Sequence, residues 1–356
     1  MIRSTGALFM AALVMGACAT GGAEPGAIPA PVGTSFGMVI HGGAGTINRA
    51  NLTPELEAQY HGALERALQA GHRILADGGT SLDAVEAAVR ILEDEPLFNA
   101  GRGAVFTSEG RNELDAAIMD GRTLEAGAIA GVTRVRNPIG LARLVMEQSP
   151  HVMMIREGAE VFGREHHVEM VPESYFFTEA RWNALVRALE AEGRPVPARP
   201  AGVPGAEQED AAIDDDPEHK FGTVGAVALD RHGNLAAATS TGGMTNKRFG
   251  RVGDVPVIGG GTYANQRCAV SATGHGEFFI RNVVAHDICA RMEYMNISLE
   301  QAADDVVMNR LVQQGADGGI IAIDSRGNYT MPFNSTGMYR GYVGPDGRTF
   351  TAIFRD

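Results

Sequence analysis

A threonine at the end of an acidic, proline-rich segment is the residue in this sequence best suited to chemistry. Gly222 and Thr223 close that segment, and Thr223 opens an apolar run, Thr-Val-Gly-Ala-Val-Ala-Leu. A hydroxyl is a poor nucleophile unless a base removes its proton. An N-terminal threonine carries its own base, because its α-amine titrates at about pH 8 and lies beside Oγ. Cleavage between Gly222 and Thr223 would create such a residue, although a threonine here also suits an ordinary strand.

Two oppositely charged residues, Arg251 and Asp254, follow among glycines. A guanidinium offers a planar fork to a carboxylate, and an aspartate pairs with an ammonium, so together they suit the two ends of an amino acid. On their own they could equally form a surface ion pair of little energetic value. Thr241 and Thr273, taken alone, could likewise be threonines at the ends of strands.

The elements that must position these residues are predicted from hydrophobic periodicity. A buried strand is expected over Phe36–His41, and a hairpin of two apolar strands follows Thr223. Helical spacing is found over the segments Leu56–Leu75, Ser81–Asp94, Pro138–Glu147, Glu179–Glu192, Gly276–Met295 and Leu299–Gln314. Because the hairpin strands show little alternation, both of their faces should be buried. These patterns predict an α+β fold, a four-layer αββα sandwich.

The charge distribution bears on the class of protein. The formal net charge is −13, which argues against a nucleic-acid binder. Residues 207–220 contribute −6 of it, so the acidity says little about the rest of the chain. We predict that residues 194–221 form an exposed, disordered loop. Gly42–Gly45 and Gly259–Gly261 lack the context of a phosphate-binding loop, and His166-His167 lacks metal-ligand spacing.

The first residues have the features of a targeting segment. Residues 1–19 combine Arg3 with a short apolar stretch and small residues, as in a secretory signal. Ala17-Cys18-Ala19 fits an ordinary cleavage site, and Met15-Gly16-Ala17-Cys18 also fits a lipoprotein signal, which would make Cys18 a lipid anchor. Residues 20–34 are predicted to be a flexible tether. The expected location is therefore the periplasm, as an exported protein anchored through Cys18 or free.

The two remaining cysteines, Cys268 and Cys289, lie in apolar runs. An exported protein could join them in a disulfide. Burial in apolar surroundings favours two free thiols instead, and this is the expectation. Their spacing indicates no zinc site.

Several long motifs, in order, resemble the plant-type L-asparaginase / isoaspartyl peptidase (β-aspartyl-peptidase) family, whose members are N-terminal nucleophile (Ntn) hydrolases. The resemblance runs from about residue 36 to the end of the chain. It is carried by Ile40–Gly45 (IHGGAG), Pro96–Gly101 (PLFNAG), Glu113–Ala116 (ELDA), Asn137–Ile139 (NPI), Glu147–Met154 (EQSPHVMM), His219–Asp230 (HKFGTVGAVALD), Ala236–Lys247 (AAATSTGGMTNK), Gly250–Asp254 (GRVGD) and Asn334–Met338 (NSTGM).

The resemblance implies a role for each matching residue. Thr223 would be the nucleophile and its freed amine the base, with Thr241 bonded to the nucleophile. Arg251 and Asp254 would hold the substrate's α-carboxylate and α-ammonium. The remaining positions carried over are Thr273 and Gly274 at the oxyanion hole, with Asn99 and Gly276 also lining the substrate site. Autocleavage between Gly222 and Thr223 would divide one domain, residues 35–356, into an α chain of about residues 20–222 and a β chain of residues 223–356.

The implied activity is hydrolysis of β-aspartyl (isoaspartyl) peptides and of L-asparagine through a covalent β-aspartyl ester on Thr223. No cofactor is expected for catalysis. The family's structural sodium loop would correspond to Leu92, Glu93, Glu95, Phe98, Ala100 and Arg102, in which Glu95 and Arg102 are more charged than expected. An (αβ)₂ heterotetramer acting on a small-molecule or dipeptide substrate is implied.

Two alternatives remain open at this point. A glycosylasparaginase-like amidase is disfavoured because that branch usually has Asp, where Gly222 stands, before its threonine. A periplasmic amino-acid binding protein could use Arg251 and Asp254 without turnover. Such a protein would stay one intact chain.

Overall fold

A computed structural model describes Met1, residues 36–203 and residues 222–355. The predicted signal segment, the tether and Cys18 lie outside the described residues, as does the part of the acidic segment from 204 to 221. None of the described helices is both long enough and apolar enough to span a membrane.

Eight α-helices and twelve strands follow one another in the described chain. The helices are α1 (Pro54–Ala76), α2 (Ser81–Asp94), α3 (Pro138–Gln148), α4 (Arg156–Glu165), α5 (Glu179–Ala191), α6 (Gly276–Asn282), α7 (Val284–Met295) and α8 (Leu299–Asp304). The strands are β1 (Gly37–Gly45), β2 (Leu114–Asp120), β3 (Ala126–Val132), β4 (Met153–Ile155), β5 (Val224–Leu229), β6 (Leu235–Thr241), β7 (Thr262–Ala264), β8 (Cys268–Gly274), β9 (Gly318–Asp324), β10 (Tyr329–Thr330), β11 (Gly337–Val343) and β12 (Thr349–Phe354).

The strands form two sheets stacked face to face. The larger sheet has the order β12-β11-β1-β5-β6-β2-β3-β4 and the smaller one β10-β9-β8-β7. An apolar layer that includes Val39, Val227 and Ile321 fills the space between them. Helices α1, α2 and α3 bury their apolar faces on the outside of the larger sheet, while α7 and α8 cover the smaller one. The prediction of a four-layer αββα sandwich is confirmed.

The hairpin predicted after Thr223 is also confirmed. Strands β5 and β6 pair antiparallel from Val224↔Ser240 to Leu229↔Leu235, and every residue of both strands is buried. Polar and apolar residues do not alternate along these strands, because one face of each strand packs on the helices and the other packs on the second sheet.

The helix predicted over Gly276–Met295 is broken in the structure. Val283 adopts a left-handed conformation with φ 48°, which ends α6 and starts α7. Val283 is neither glycine nor proline, so no local signal marked the break. The last predicted helix is shorter as an α-helix, because a π-helical segment, Asp305–Leu311, continues from α8.

The start of the segment predicted to be disordered is instead held against the protein. Arg199 forms an ion pair with Glu179 at the beginning of α5, with 2.5 Å between Nη2 and Oε1. Its guanidinium also lies over the rings of Phe177 and Trp182. The prediction of disorder is therefore wrong around Arg199. Helix α5 supplies an acid and the ring of Trp182, and Phe177 just before the helix supplies a second ring; sequence spacing did not reveal these partners.

The expectation of two free thiols is wrong. Cys268 on β8 and Cys289 on α7 form a disulfide, with 5.7 Å between their Cα atoms. Both residues are fully buried, as predicted. Their apolar surroundings arise because α7 packs directly on β8, and that packing is what brings the two sulfur atoms together.

Removing this disulfide should weaken the fold. The bond joins residues 21 positions apart, and closing a loop of that size stabilises a protein by about 3 kcal/mol. The double variant Cys268→Ala/Cys289→Ala should therefore unfold at lower urea concentration than the wild type. Reductant should lower the wild-type midpoint and leave that of the variant unchanged. Equal midpoints for both proteins, with and without reductant, would contradict the disulfide.

Candidate functional site

The register of the β5–β6 hairpin places Thr223 next to Thr241. Both side chains are buried, and Thr223 Oγ1 donates a hydrogen bond to Thr241 Oγ1 at 3.1 Å. Thr223 Oγ1 also lies 2.7 Å from the carbonyl oxygen of Gly222, the residue before it. The predicted nucleophile thus lies against the carbonyl group that self-cleavage would attack.

Two side chains donate hydrogen bonds to that carbonyl oxygen. Thr241 Oγ1 and Asn99 Nδ2 each donate to Gly222 O at 3.0 Å. Asn99 is fixed in turn, because its Nδ2 donates to Gly243 O at 2.7 Å and its Oδ1 accepts from Val105 N at 3.0 Å. Donors aimed at a carbonyl oxygen stabilise the negative charge that develops there during attack.

A small cleft joins Thr223 to the charged pair. It is lined by Gly222, Thr223, Thr241, Gly243, Arg251, Gly253, Asp254 and Gly274. Gly276 closes it beside the charged pair, since a Cβ there would lie 2.7 Å from Arg251 Nη2 and 2.8 Å from Asp254 Oδ1. The structure therefore brings together in one cleft most of the residues that the sequence singled out.

The two charged residues differ in their partners. Arg251 makes a bidentate pair with Glu277, with Nε and Nη2 at 2.9 and 3.0 Å from the two carboxylate oxygens. Asp254 is 5% exposed, and its Oδ2 has no hydrogen-bond partner among the described residues. Burial raises the pKa of Asp254 to about 7, against the opposing effect of Arg251. A substrate ammonium would supply the partner that this carboxylate lacks.

The predicted oxyanion-hole residues end β8. Thr273 is completely buried and its Oγ1 accepts from Ala44 N at 3.2 Å. Gly274 has φ +151°, and a Cβ there would lie 2.5 Å from Asp317 O. Only glycine fits this close approach, and Gly274 reaches the cleft while Thr273 holds β8 to β1.

The predicted sodium loop closes on itself around two glycines. A Cβ on Gly101 would overlap the carbonyl oxygen of Glu93, and one on Gly103 would overlap those of Pro96 and Phe98. Main-chain carbonyl oxygens therefore lie close together inside the loop, and oxygen atoms of this kind are suitable ligands for a hard cation. The charged side chains point to partners outside it: Glu95 pairs with Arg66 and Arg102 lies over the ring of Tyr175.

Three residues near the site were not identified from the sequence. His41 belongs to the motif IHGGAG, and its Nδ1 lies 2.9 Å from Thr223 O. Asp115 is buried opposite Thr241 on the neighbouring strand, and burial raises its pKa. Lys247 is also buried, with Nζ donating to Glu113 O at 3.0 Å. An isolated histidine or lysine in an apolar or polar run carries no spacing signal.

The raised pKa of Asp254 should appear in the pH dependence of stability. The folded carboxyl keeps its proton up to about pH 7 and the unfolded one up to about pH 4. Between these values the folded state binds more protons, so the free energy of unfolding falls as pH rises. In Asp254→Asn this carboxyl group is absent, so its contribution to the fall in the free energy of unfolding is absent too. From about pH 4 to about pH 7, urea unfolding should show the variant gaining on the order of a few kcal/mol over the wild type, whereas parallel profiles would exclude the raised pKa.

Comparisons with known proteins identify the family of this chain. The model of a family described as asparaginase matches residues 34–353. The isoaspartyl peptidases of Escherichia coli (strain K12) and Salmonella typhimurium are 52% and 51% identical over 322 residues; the match spans 90% of this chain and 96% and 98% of theirs. The isoaspartyl peptidase/L-asparaginase of Xenopus laevis is 41% identical over 85% of this chain and 90% of its own. The chain therefore belongs to the asparaginase family of N-terminal nucleophile hydrolases.

Proposed function

We propose that this protein hydrolyses β-aspartyl peptides and the side-chain amide of L-asparagine, with Thr223 as nucleophile after self-cleavage at Gly222–Thr223. The observation that carries the proposal is the cluster around Gly222 O, where Thr223 Oγ1, Thr241 Oγ1 and Asn99 Nδ2 converge within 3.0 Å. The relatives named isoaspartyl peptidase support the same activity; they are 52% and 51% identical in sequence over 90% of this chain.

Self-cleavage would begin with attack of Thr223 Oγ on the carbonyl carbon of Gly222. The bond from that carbon to Thr223 N breaks, and the nitrogen takes up the proton that Oγ releases. This leaves an ester between Gly222 and Thr223 Oγ. Thr241 and Asn99 stabilise the oxygen anion formed in the attack. Water then hydrolyses the ester, giving a Gly222 carboxylate and a Thr223 with free amine and hydroxyl.

In turnover, the same oxygen, Thr223 Oγ, would attack the substrate. Asp254 takes the α-ammonium and Arg251 the α-carboxylate, with Glu277 sharing or yielding the guanidinium fork. Thr223 Oγ attacks the side-chain carbonyl carbon while the freed amine takes the proton and passes it to the departing ammonia or peptide amine. Water hydrolyses the resulting β-aspartyl ester and L-aspartate leaves. Binding both charged ends fixes the reacting carbon beside Oγ.

The comparison of two substrates would define the activity further. L-asparagine would release ammonia, whereas a β-aspartyl dipeptide would release an amino acid. Measuring kcat/KM for both substrates would show which leaving group the enzyme prefers. If the cleaved protein hydrolyses neither substrate, the proposal is overturned.

A sodium ion is proposed for the loop that contains Leu92, Glu93, Glu95, Phe98, Ala100 and Arg102. Its carbonyl oxygens crowd the inside of the loop at Gly101 and Gly103, which supports the assignment. Since an ion that binds only the folded state stabilises it, replacing sodium by choline at equal ionic strength should lower Tm. An unchanged Tm would argue against the ion.

Export to the periplasm is proposed, with Cys18 as a lipid anchor. The disulfide between Cys268 and Cys289 supports export, because such bonds persist in oxidising compartments. Intact mass of the protein purified from membranes would reveal the lipid on Cys18, and a soluble protein starting after residue 19 would exclude it. The (αβ)₂ assembly stays a prediction, which light scattering would test.

The test of the proposed function is cleavage itself. On a denaturing gel the wild type should give two fragments divided at Gly222–Thr223. Thr223→Ala should stay intact because no oxygen is left to attack Gly222, while Thr223→Ser, which keeps the hydroxyl, should still cleave. An intact wild type would indicate a binding protein. Cleavage of Thr223→Ala at the same bond would show that Thr223 is not the nucleophile.

A further inference from the structure

Four fully buried polar side chains form a line of hydrogen bonds between the two sheets. We name it the His41–Thr262 chain, after its ends; its inner members are Ser271 and Thr239. It begins at the nucleophile, with His41 Nδ1 2.9 Å from Thr223 O. His41 Nε2 lies 2.9 Å from Ser271 Oγ, which lies 2.8 Å from Thr239 Oγ1. Thr262 Oγ1 then lies 2.7 Å from Thr239 Oγ1.

From His41 to Thr239, the hydrogens of this chain can point in only one direction. A carbonyl oxygen accepts and never donates, so His41 must carry its proton on Nδ1. Nε2 is then an acceptor, and Ser271 must donate to it. Ser271 Oγ therefore accepts from Thr239. The single proton of Thr262 can go to Thr239 Oγ1 or to the carbonyl oxygen of Val255. Burial lowers the pKa of His41 to about 3, which keeps the ring neutral and this order intact.

The far end of the chain lies beside the residue proposed to bind the substrate ammonium. Thr262 Oγ1 is also 3.0 Å from the carbonyl oxygen of Val255, the neighbour of Asp254. Asp254 O accepts from Gly261 N at 3.0 Å, immediately before Thr262. The chain thus extends from the backbone of the nucleophile to the turn that holds Asp254.

The packing around the chain leaves room for it. Many apolar side chains fill the layer between the sheets, and polar groups placed there cost free energy unless they are bonded. Gly225, two residues after Thr223, lies where His41 meets Ser271. A Cβ on Gly225 would overlap Ser271 Oγ and lie 2.5 Å from His41 Nε2. Strand β5 therefore carries no side chain at the one point where it would break the chain.

Thr223 needs this restraint because the strand ladder does not reach it. The pairing of β5 with β1 ends at His41↔Gly225, so the His41 side chain takes the Thr223 carbonyl where a ladder bond is missing. After cleavage Thr223 also loses its covalent link to Gly222. The hydrogen bond from His41 then restrains the main chain that carries both Oγ and the free amine.

We propose that His41, Ser271 and Thr239 are positioning residues, which hold the carbonyl of Thr223 and so orient its hydroxyl and amine toward the substrate. The inference rests on the proposed function, since it assigns these residues to the reaction of Thr223. None of the three needs to touch the substrate.

The test compares Thr239→Val with Thr239→Ser in the cleaved enzyme. Valine keeps the volume of threonine and removes the hydroxyl that donates to Ser271, whereas serine keeps that hydroxyl. With a β-aspartyl dipeptide as substrate, Thr239→Val should lower kcat about tenfold or more, since small misplacements are costly, with little change in KM. Thr239→Ser should restore most of kcat. The control Ile323→Ala removes a buried apolar side chain from the same layer and should lower Tm while leaving kcat unchanged.

A Thr239→Val enzyme with wild-type kcat and a lowered Tm would overturn the inference and make the chain purely structural. If Thr239→Val does not fold, His41→Asn and His41→Leu replace it. An asparagine amide can take the place of Nδ1–H, so His41→Asn should keep more of kcat than His41→Leu, and equal kcat values in the two would overturn the inference. Failure of the wild type to cleave and turn over would instead refute the proposed function.

Discussion

The pairing of β5 with β6 sets the positions of the reacting groups. Its register starts at Val224↔Ser240, so Thr223 and Thr241 face each other just beyond the first pair, with 3.1 Å between their hydroxyl oxygens. Both strands are buried on two faces. A slip by one residue would turn every side chain to the opposite face and bury the wrong residues, so the layers that stabilise the fold also hold Thr223 in place.

The stacked sheets join groups that are far apart in the sequence. Asn99 comes from a loop before β2, Gly274 from the end of β8, and Asp254 from the turn before β7. Gly274 and Asp254 line the cleft, and Asn99 donates hydrogen bonds to two of its lining residues. Asp254 and Thr223 thereby line one small cleft, and burial there raises the pKa of Asp254 to about 7.

The sequence predicted the layers and singled out Thr223 because both leave local signals. The unbroken apolar strands after Thr223 indicated burial on two faces, and ordered motifs marked Arg251 and Asp254. The Cys268–Cys289 disulfide could not be predicted, because it depends on how α7 packs on β8. The same holds for Glu277 on Arg251 and for His41 on Thr223, since each contact joins residues whose distance only the tertiary structure determines.

The most direct test of Thr223 as nucleophile is the mass of the β chain during turnover. Mixing the cleaved enzyme with L-asparagine and quenching in acid should trap an ester, so a fraction of the β chain should be heavier by one aspartyl residue. Fragmentation should place the added mass on Thr223, the first residue of that chain. Rapid turnover with no added mass, or an adduct on another residue, would contradict the covalent mechanism.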